Sequence, residues 1–135
     1  MKVIVDTSVW SLHLRHKQQD NKAVGTLRRL LREKRVQMLG VVRQELLSGV
    51  KEQTRFDKLL AVLNGFPSLL PGEEDYTTAA RCYNICRARG VQGSSVDFLI
   101  CAQAINHRLP ILSTDKDFLN YARHVQISLF EEVQP

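Results

Sequence analysis

Val3-Ile4-Val5 is a β-branched run with no alternation of apolar and polar residues, and an acid, Asp6, ends it. Such a run suits a strand buried on both faces, as in a parallel sheet. Thr7 and Ser8 follow, residue types that start helices. The same succession then recurs. Val9 to about His16 reads as a short helix. A second helix spans Asn21 to Lys34, with Val24, Leu27, Leu30 and Leu31 as its apolar stripe. Val36 to Leu39 reads as a second strand. After Gly40 a helix is expected over Val41–Val50, and another over Thr54–Leu63, with Phe56, Leu59, Leu60 and Leu63 at helical spacing.

A third strand is expected within Phe66–Leu70, at an edge because of Pro67. Pro71-Gly72 is a turn, and Glu73 opens a long helix to about Arg89. Ser94 or Ser95 caps a helix that runs to about His107. Pro110–Ser113 reads as a fourth strand, Asp115 starts a helix ending near Arg123, and Val125-Gln126-Ile127 reads as a fifth strand. Strands alternating with helices predict an α/β layer fold around a mainly parallel sheet of about five strands. At 135 residues the chain is expected to form one domain, 1–135.

The hydrophobic share is 44% and the charged share 24%, which excludes disordered and fibrous classes. No apolar run approaches the ~18 residues a spanning helix needs, and the N-terminal apolar run is too short for a signal peptide. The expectation is a cytoplasmic protein. Cys82, Cys86 and Cys101 are odd in number and lack zinc-ligand spacing, so they read as small core residues. The net charge of +5 is a mild bias toward polyanionic partners. Arg28, Arg29, Arg32, Lys34 and Arg35 crowd into eight residues, either a solvated helix face or a surface for RNA or a partner.

In an open parallel sheet, ligands bind outside the carboxyl ends of the strands. Asp6 follows the first strand, and Glu45 lies one turn into the helix after the second. Asp115 follows the fourth strand. Asp97 lies in the first turn of a helix that runs antiparallel to the strands, so it too starts at the carboxyl edge. Four acids from four distant segments therefore converge. Asp6, Asp97 and Asp115 also suit helix starts. Glu45 is flanked by Val41, Val42, Leu46 and Leu47, which predicts little exposure and hence a need for a partner or a metal. Clustered carboxylates repel, and oxygen-only donors suit Mg²⁺ or Mn²⁺. Asp117 is a fifth candidate, either a ligand or a surface acid. Thr7 and Thr114 are candidates to hold the carboxylates in place.

The chain resembles PIN-domain nucleases, and most closely the VapC-type toxins of bacterial toxin–antitoxin pairs. The resemblance is carried by Val3-Ile4-Val5-Asp6-Thr7-Ser8-Val9-Trp10, Gln44-Glu45-Leu46-Leu47-Ser48-Gly49, Ser94-Ser95-Val96-Asp97-Phe98-Leu99-Ile100 with Ala102, and Ile111-Leu112-Ser113-Thr114-Asp115-Lys116-Asp117-Phe118. The four stretches stand in the family's order and span the chain. The family's acids fall on Asp6, Glu45, Asp97 and Asp115, with Asp117 often grouped with them.

The resemblance implies a three-layer α/β/α sandwich and Mg²⁺- or Mn²⁺-dependent endonucleolytic cleavage of RNA. It also implies a VapB-like antitoxin covering the acidic site, and a homodimer. On that model Asp6, Asp97 and Asp115, with Asp117, would hold the metal, and Glu45 would be a ligand or orient the attacking water. No histidine is needed as base, so His13, His16, His107 and His124 read as surface or packing residues. Lys116 and Arg43 are candidates to hold RNA phosphates. Trp10 reads as core or dimer packing rather than a base-stacking platform. Phe56, Leu59, Leu60 and Leu63 suit either the core or a partner groove.

Rival readings fit less well. An aspartyl phosphatase of the haloacid-dehalogenase type wants a second acid two residues after Asp6, where Ser8 stands. A response-regulator receiver wants an acid after the third strand, which here runs into Pro71-Gly72. A PIN nuclease of RNA processing and a non-catalytic binding module remain as alternatives. A binding module would be indifferent to Asp97→Asn.

Overall fold

The computed structural model describes residues 1–15 and 21–130. His16, the expected end of the first helix, lies outside the described residues. The elements in chain order are β1 (Val3–Val5), α1 (Thr7–Leu14), α2 (Lys22–Arg32), β2 (Val36–Leu39), α3 (Gly40–Leu47) and α4 (Gln53–Leu63). They continue with β3 (Ser68–Leu69), α5 (Glu73–Ala88), α6 (Ser95–His107), β4 (Ile111–Leu112) and α7 (Lys116–Ala122).

The four strands form one parallel sheet in the order β3-β2-β1-β4. Val3 lies opposite Val36, Val5 opposite Leu112 and Leu39 opposite Leu69. Val3, Ile4 and Val5 are all buried, with at most 1% exposure. Successive strand residues point to opposite faces, so β1 is covered on both. That is the physical content of the three-layer sandwich.

The sheet has four strands where about five were expected. Val125–Ile127 is not a strand. The Ile127 amide bonds back to the Val125 carbonyl at 2.9 Å, turning the chain. Pairing with β4 is delayed to a single parallel bridge between Ile111 and Leu129. β3 does lie at an edge, directly after Pro67.

Local signals set most helix starts. Asn21 accepts from the amides of Ala23 and Val24 (2.8 and 3.2 Å), Ser94 from Asp97 (3.1 Å) and Asp115 from Asp117 (2.9 Å). These bonds satisfy amides that a helix start leaves without partners. The helix expected over Val41–Val50 is shorter at its end. It begins at Gly40 and stops at Leu47, before Gly49 at φ +86°, a conformation that favours glycine.

One core cluster gathers β1, β2, β4 and the inner faces of the helices. It includes Trp10, buried against Phe66 with ring centroids 5.4 Å apart, and the three cysteines, all buried and unpaired. The long stripe of α4 is the exception. Leu63 is its sole buried member, while Phe56, Leu59 and Leu60 are half-buried.

Candidate active site

The chain passes from β1 outward to β2 and β3, then returns to β4 on β1's other side. The switch point therefore falls between β1 and β4, where an open parallel sheet leaves a crevice at its carboxyl edge. Asp6 and Asp115 flank that crevice, just past β1 and β4.

Asp6 is 5% exposed. Its Oδ2 accepts from the hydroxyls of Ser8 and Ser113, each at 2.8 Å. Ser113 in turn accepts from the Asp115 amide at 2.9 Å, and Ser8 from the Thr114 amide at 3.2 Å. The two hydroxyls thus pin the loop after β4 to the end of β1. Burial pushes the Asp6 carboxyl above its usual pKa, and the Ser113 and Ser8 hydroxyls oppose that rise.

Asp97 stands half-buried in the first turn of α6. Its Oδ2 accepts from the Tyr121 hydroxyl at 2.7 Å. Its pKa is also raised, first by burial and then by the nearby charges of Asp6, Asp115 and Glu45, against the lowering effect of Tyr121. Asp97 therefore feels the other three acids, as clustering at one edge requires. Carboxylate oxygens of Asp97, Asp115 and Asp117 lie within 4.8 Å of one another. Asp117, the residue with the weaker sequence case, is thus inside the tightest group. Asp6 and Glu45 stand outside that group.

Glu45 corrects an expectation. It is exposed rather than confined by its apolar neighbours, because Val42 and Leu46 turn into the core while position 45 faces out. The Thr7 hydroxyl donates to its Oε1 at 2.6 Å, the supporting role expected of Thr7. Thr114 does not play the matching part through its side chain: its amide donates to Ser8, and Ser113 supplies the hydroxyl.

Tyr121 was not foreseen. At three residues past Phe118 it reads as helix core, and its ring is indeed buried against Phe98 and Phe118. Gly93 makes room for it: a Cβ there would meet the Tyr121 hydroxyl and lie 2.8 Å from Cζ. The sequence signal for this was faint, a glycine in the loop just ahead of the Asp97 helix.

Two basic groups fall elsewhere. Arg35 bonds Glu33 at 2.9 Å and the Met1 carbonyl at 2.9 Å, and Arg29 stands 3.9 Å from Glu33. Arg29 lies in the last turn of α2 and Arg35 just ahead of β2, at the sheet's amino edge, opposite the acids. Arg43 is bound to Asn64 at 2.7 Å, tying α3 to α4. Lys116, between Asp115 and Asp117, is exposed.

The donor set is oxygen-only and mutually repulsive, which fits a hard divalent cation. A model of the PIN domain matches residues 3–124. The chain belongs to the PIN-domain family. Over 125 residues it is 34% identical to Ribonuclease VapC11 of Mycobacterium tuberculosis, covering 90% of this chain and 92% of the relative. VapC ribonuclease Mb1587 of Mycobacterium bovis gives the same values.

Among solved structures, FitAcB from Neisseria gonorrhoeae superposes with a TM-score of 0.76 at 19% identity, covering 98% of this chain and 99% of that one. VapBC2 from Rickettsia felis, bound to a DNA fragment from their promoter, gives 0.74 at 16% identity, covering 96% and 98%. These two likenesses show the fold alone, and it is the fold that the chain's own strand order describes.

Proposed function

We propose that this protein is a metal-dependent endoribonuclease, the toxin of a VapBC-type toxin–antitoxin pair, acting in the cytoplasm as a single PIN domain. The observation that carries the reading is the meeting of Asp6, Glu45, Asp97 and Asp115, with Asp117, at the switch point of a parallel sheet, in a chain 34% identical to VapC ribonucleases. Asp97, Asp115 and Asp117 would hold Mg²⁺ or Mn²⁺, with Asp6 beside them. Such a cation acidifies water and offsets charge building on a phosphoryl group.

The chain's own residues supply position. Ser8 and Ser113 occupy one oxygen of Asp6 and so fix which way the other faces. Tyr121 does the same for Asp97. Thr7 steadies Glu45, whose exposed carboxylate would be a ligand or orient the attacking water. The half-buried stripe of α4 suits a VapB-like antitoxin. Leu14, Leu46, Leu59 and Val62 line a surface groove there, with Arg15, Arg55 and Lys58 at its rim. A homodimer is part of the same proposal.

The test is cleavage of total RNA by the partner-free protein in Mg²⁺ or Mn²⁺, beside tubes with EDTA or Asp97→Asn. Cleavage lost in both controls supports the reading. Cleavage that survives Asp97→Asn sinks the assigned site.

A further inference from the structure

Beside the carboxylates, past the β4 side of the sheet, the surface opens into a cavity of about 270 Å³. The loop after β4 separates the two. Asp115 and Asp117 contribute oxygens to the acidic group, while Thr114 and Lys116 line the cavity. Ser113 belongs to both: it lines the cavity and donates its hydroxyl to Asp6. A molecule seated in the cavity is therefore one residue away from the acids.

The lining is divided by chemistry. Leu119 and Leu129, half-buried and backed by the fully buried Ile111, offer an apolar floor. Lys22, at the first position of α2, and Lys116 stand exposed at the rim. Neither lysine makes an ion pair among the described residues, so both charges are unspent. A polyanion drawn toward clustered carboxylates is repelled by them, and cations at the rim offset that repulsion. A ligand that satisfies both halves has a flat apolar body and an anionic link.

From this we infer that the cavity is a nucleotide subsite. One base of the RNA strand, next to the scissile phosphate, lies on the Leu119–Leu129 floor, and Lys22 and Lys116 hold the flanking phosphates. The inference rests on the ribonuclease reading and adds to it where the strand runs and what selects the base. Lysine–phosphate pairing holds the backbone of a strand, and apolar side chains, like aromatic ones, can seat an unstacked base.

The test uses the full chain in EDTA, so that RNA binds without being cut. Ile and Leu methyls are labelled with ¹³C, and the four nucleoside 5′-monophosphates are titrated in turn, with inorganic phosphate as control. A mixed-sequence decaribonucleotide is then titrated against wild type and Lys22→Glu. That substitution puts an acid in the first turn of α2, where the helix dipole favours it, so the fold is not at risk. The expected result is movement of the Leu119 and Leu129 methyls with at least one nucleotide and not with phosphate. Lys22→Glu should weaken RNA binding about tenfold and lower the salt-dependence slope by at least about 0.7.

Unmoved methyls, movement with phosphate alone, or unchanged RNA affinity in Lys22→Glu each overturn the subsite. Each of those leaves the ribonuclease reading standing, because wild type still binds RNA. Wild type that binds no RNA in EDTA overturns the subsite, and the cleavage test in Mg²⁺ or Mn²⁺ decides the ribonuclease reading separately. Methyls that answer a VapB-like C-terminal peptide but no nucleotide assign the cavity to the antitoxin and overturn the subsite as well.

Discussion

The two ends of α6 each hold an aspartate out of bulk water, and they treat it in opposite ways. At the far end, Asp75 of α5 is 6% exposed. Burial pushes its pKa up, but the Gly72 amide and the Asn106 side chain, each donating at 2.9 Å, and the His107 imidazole at 3.8 Å more than reverse that, and the pKa is lowered. At the near end, about 14 Å back along the helix axis, Asp97 has one donor, Tyr121, and three acids for neighbours. Its pKa is raised. The first carboxylate is satisfied and ties α5 to α6. The second is left short of positive charge, which a folded protein tolerates where a cation is to be bound.

The sharpest way to break this contrast is Asp97→Asn. RNA cleavage should fall by at least about 10²-fold, the scale seen when a group aimed at developing charge is removed. The metal-free protein should nevertheless unfold at a higher temperature than wild type, since a costly charge is gone. Lower apo stability would show that Asp97 is structural.

The next effect is that of the ion. A carboxyl whose folded pKa exceeds its unfolded value costs stability at every pH above that folded value, and the cost fades as pH falls through it. Asp6 and Asp97 are of this kind. Mn²⁺ at 100 times its Kd should add about 2.7 kcal/mol, read as a rise in the thermal midpoint at neutral pH. An equal rise in Asp97→Asn would put the ion elsewhere.

Asp75→Ala should cost about 2 kcal/mol in urea unfolding, from a lost helix-start bond and the lost bond from the Asn106 amide, which keeps only Thr78 as acceptor. Cleavage per folded molecule should hold. The pH dependence is opposite in sign to that at Asp97: with its pKa lowered, Asp75 stabilises above the unfolded value near 3.8 and ceases to as pH falls through its folded value. The difference between wild type and Asp75→Ala should therefore shrink below about pH 4. A difference that holds constant to pH 2 would sink the assignment.

Tyr121→Phe should have the smallest effect. The ring packing stays and one hydrogen bond to a charged group goes, so Mn²⁺ affinity should drop severalfold while the apo thermal midpoint moves little. A large apo destabilisation with unchanged affinity would make Tyr121 a core residue and no more.

Much of this contrast was legible in the sequence. The acids at strand ends pointed to one edge because strand and helix directions alternate, and Ser94 and Asp115 announced their helices by capping chemistry. Other features were not. Glu45 was expected to be confined by its apolar neighbours, yet helical geometry turns Val42 and Leu46 inward and leaves position 45 to solvent. Val125–Ile127 has strand-like composition, but a local turn delays pairing to Leu129. The tie of Asp75 to α6 carries no sequence sign, because Asn106 and His107 reach it from the next helix.

What the sequence by itself determined is the order of strands and helices and the set of acids near one sheet edge. Those follow from apolar periodicity and from capping, which act within a few residues. The tertiary structure alone decided which hydroxyl holds which carboxylate: Ser113 rather than Thr114 on Asp6, Tyr121 on Asp97, and Asp117 rather than Asp6 or Glu45 beside Asp97 and Asp115. Hydrogen bonds reach about 3 Å, so residues 24 or 107 positions apart find each other only after the packing of α6, α7 and the sheet has set their separation.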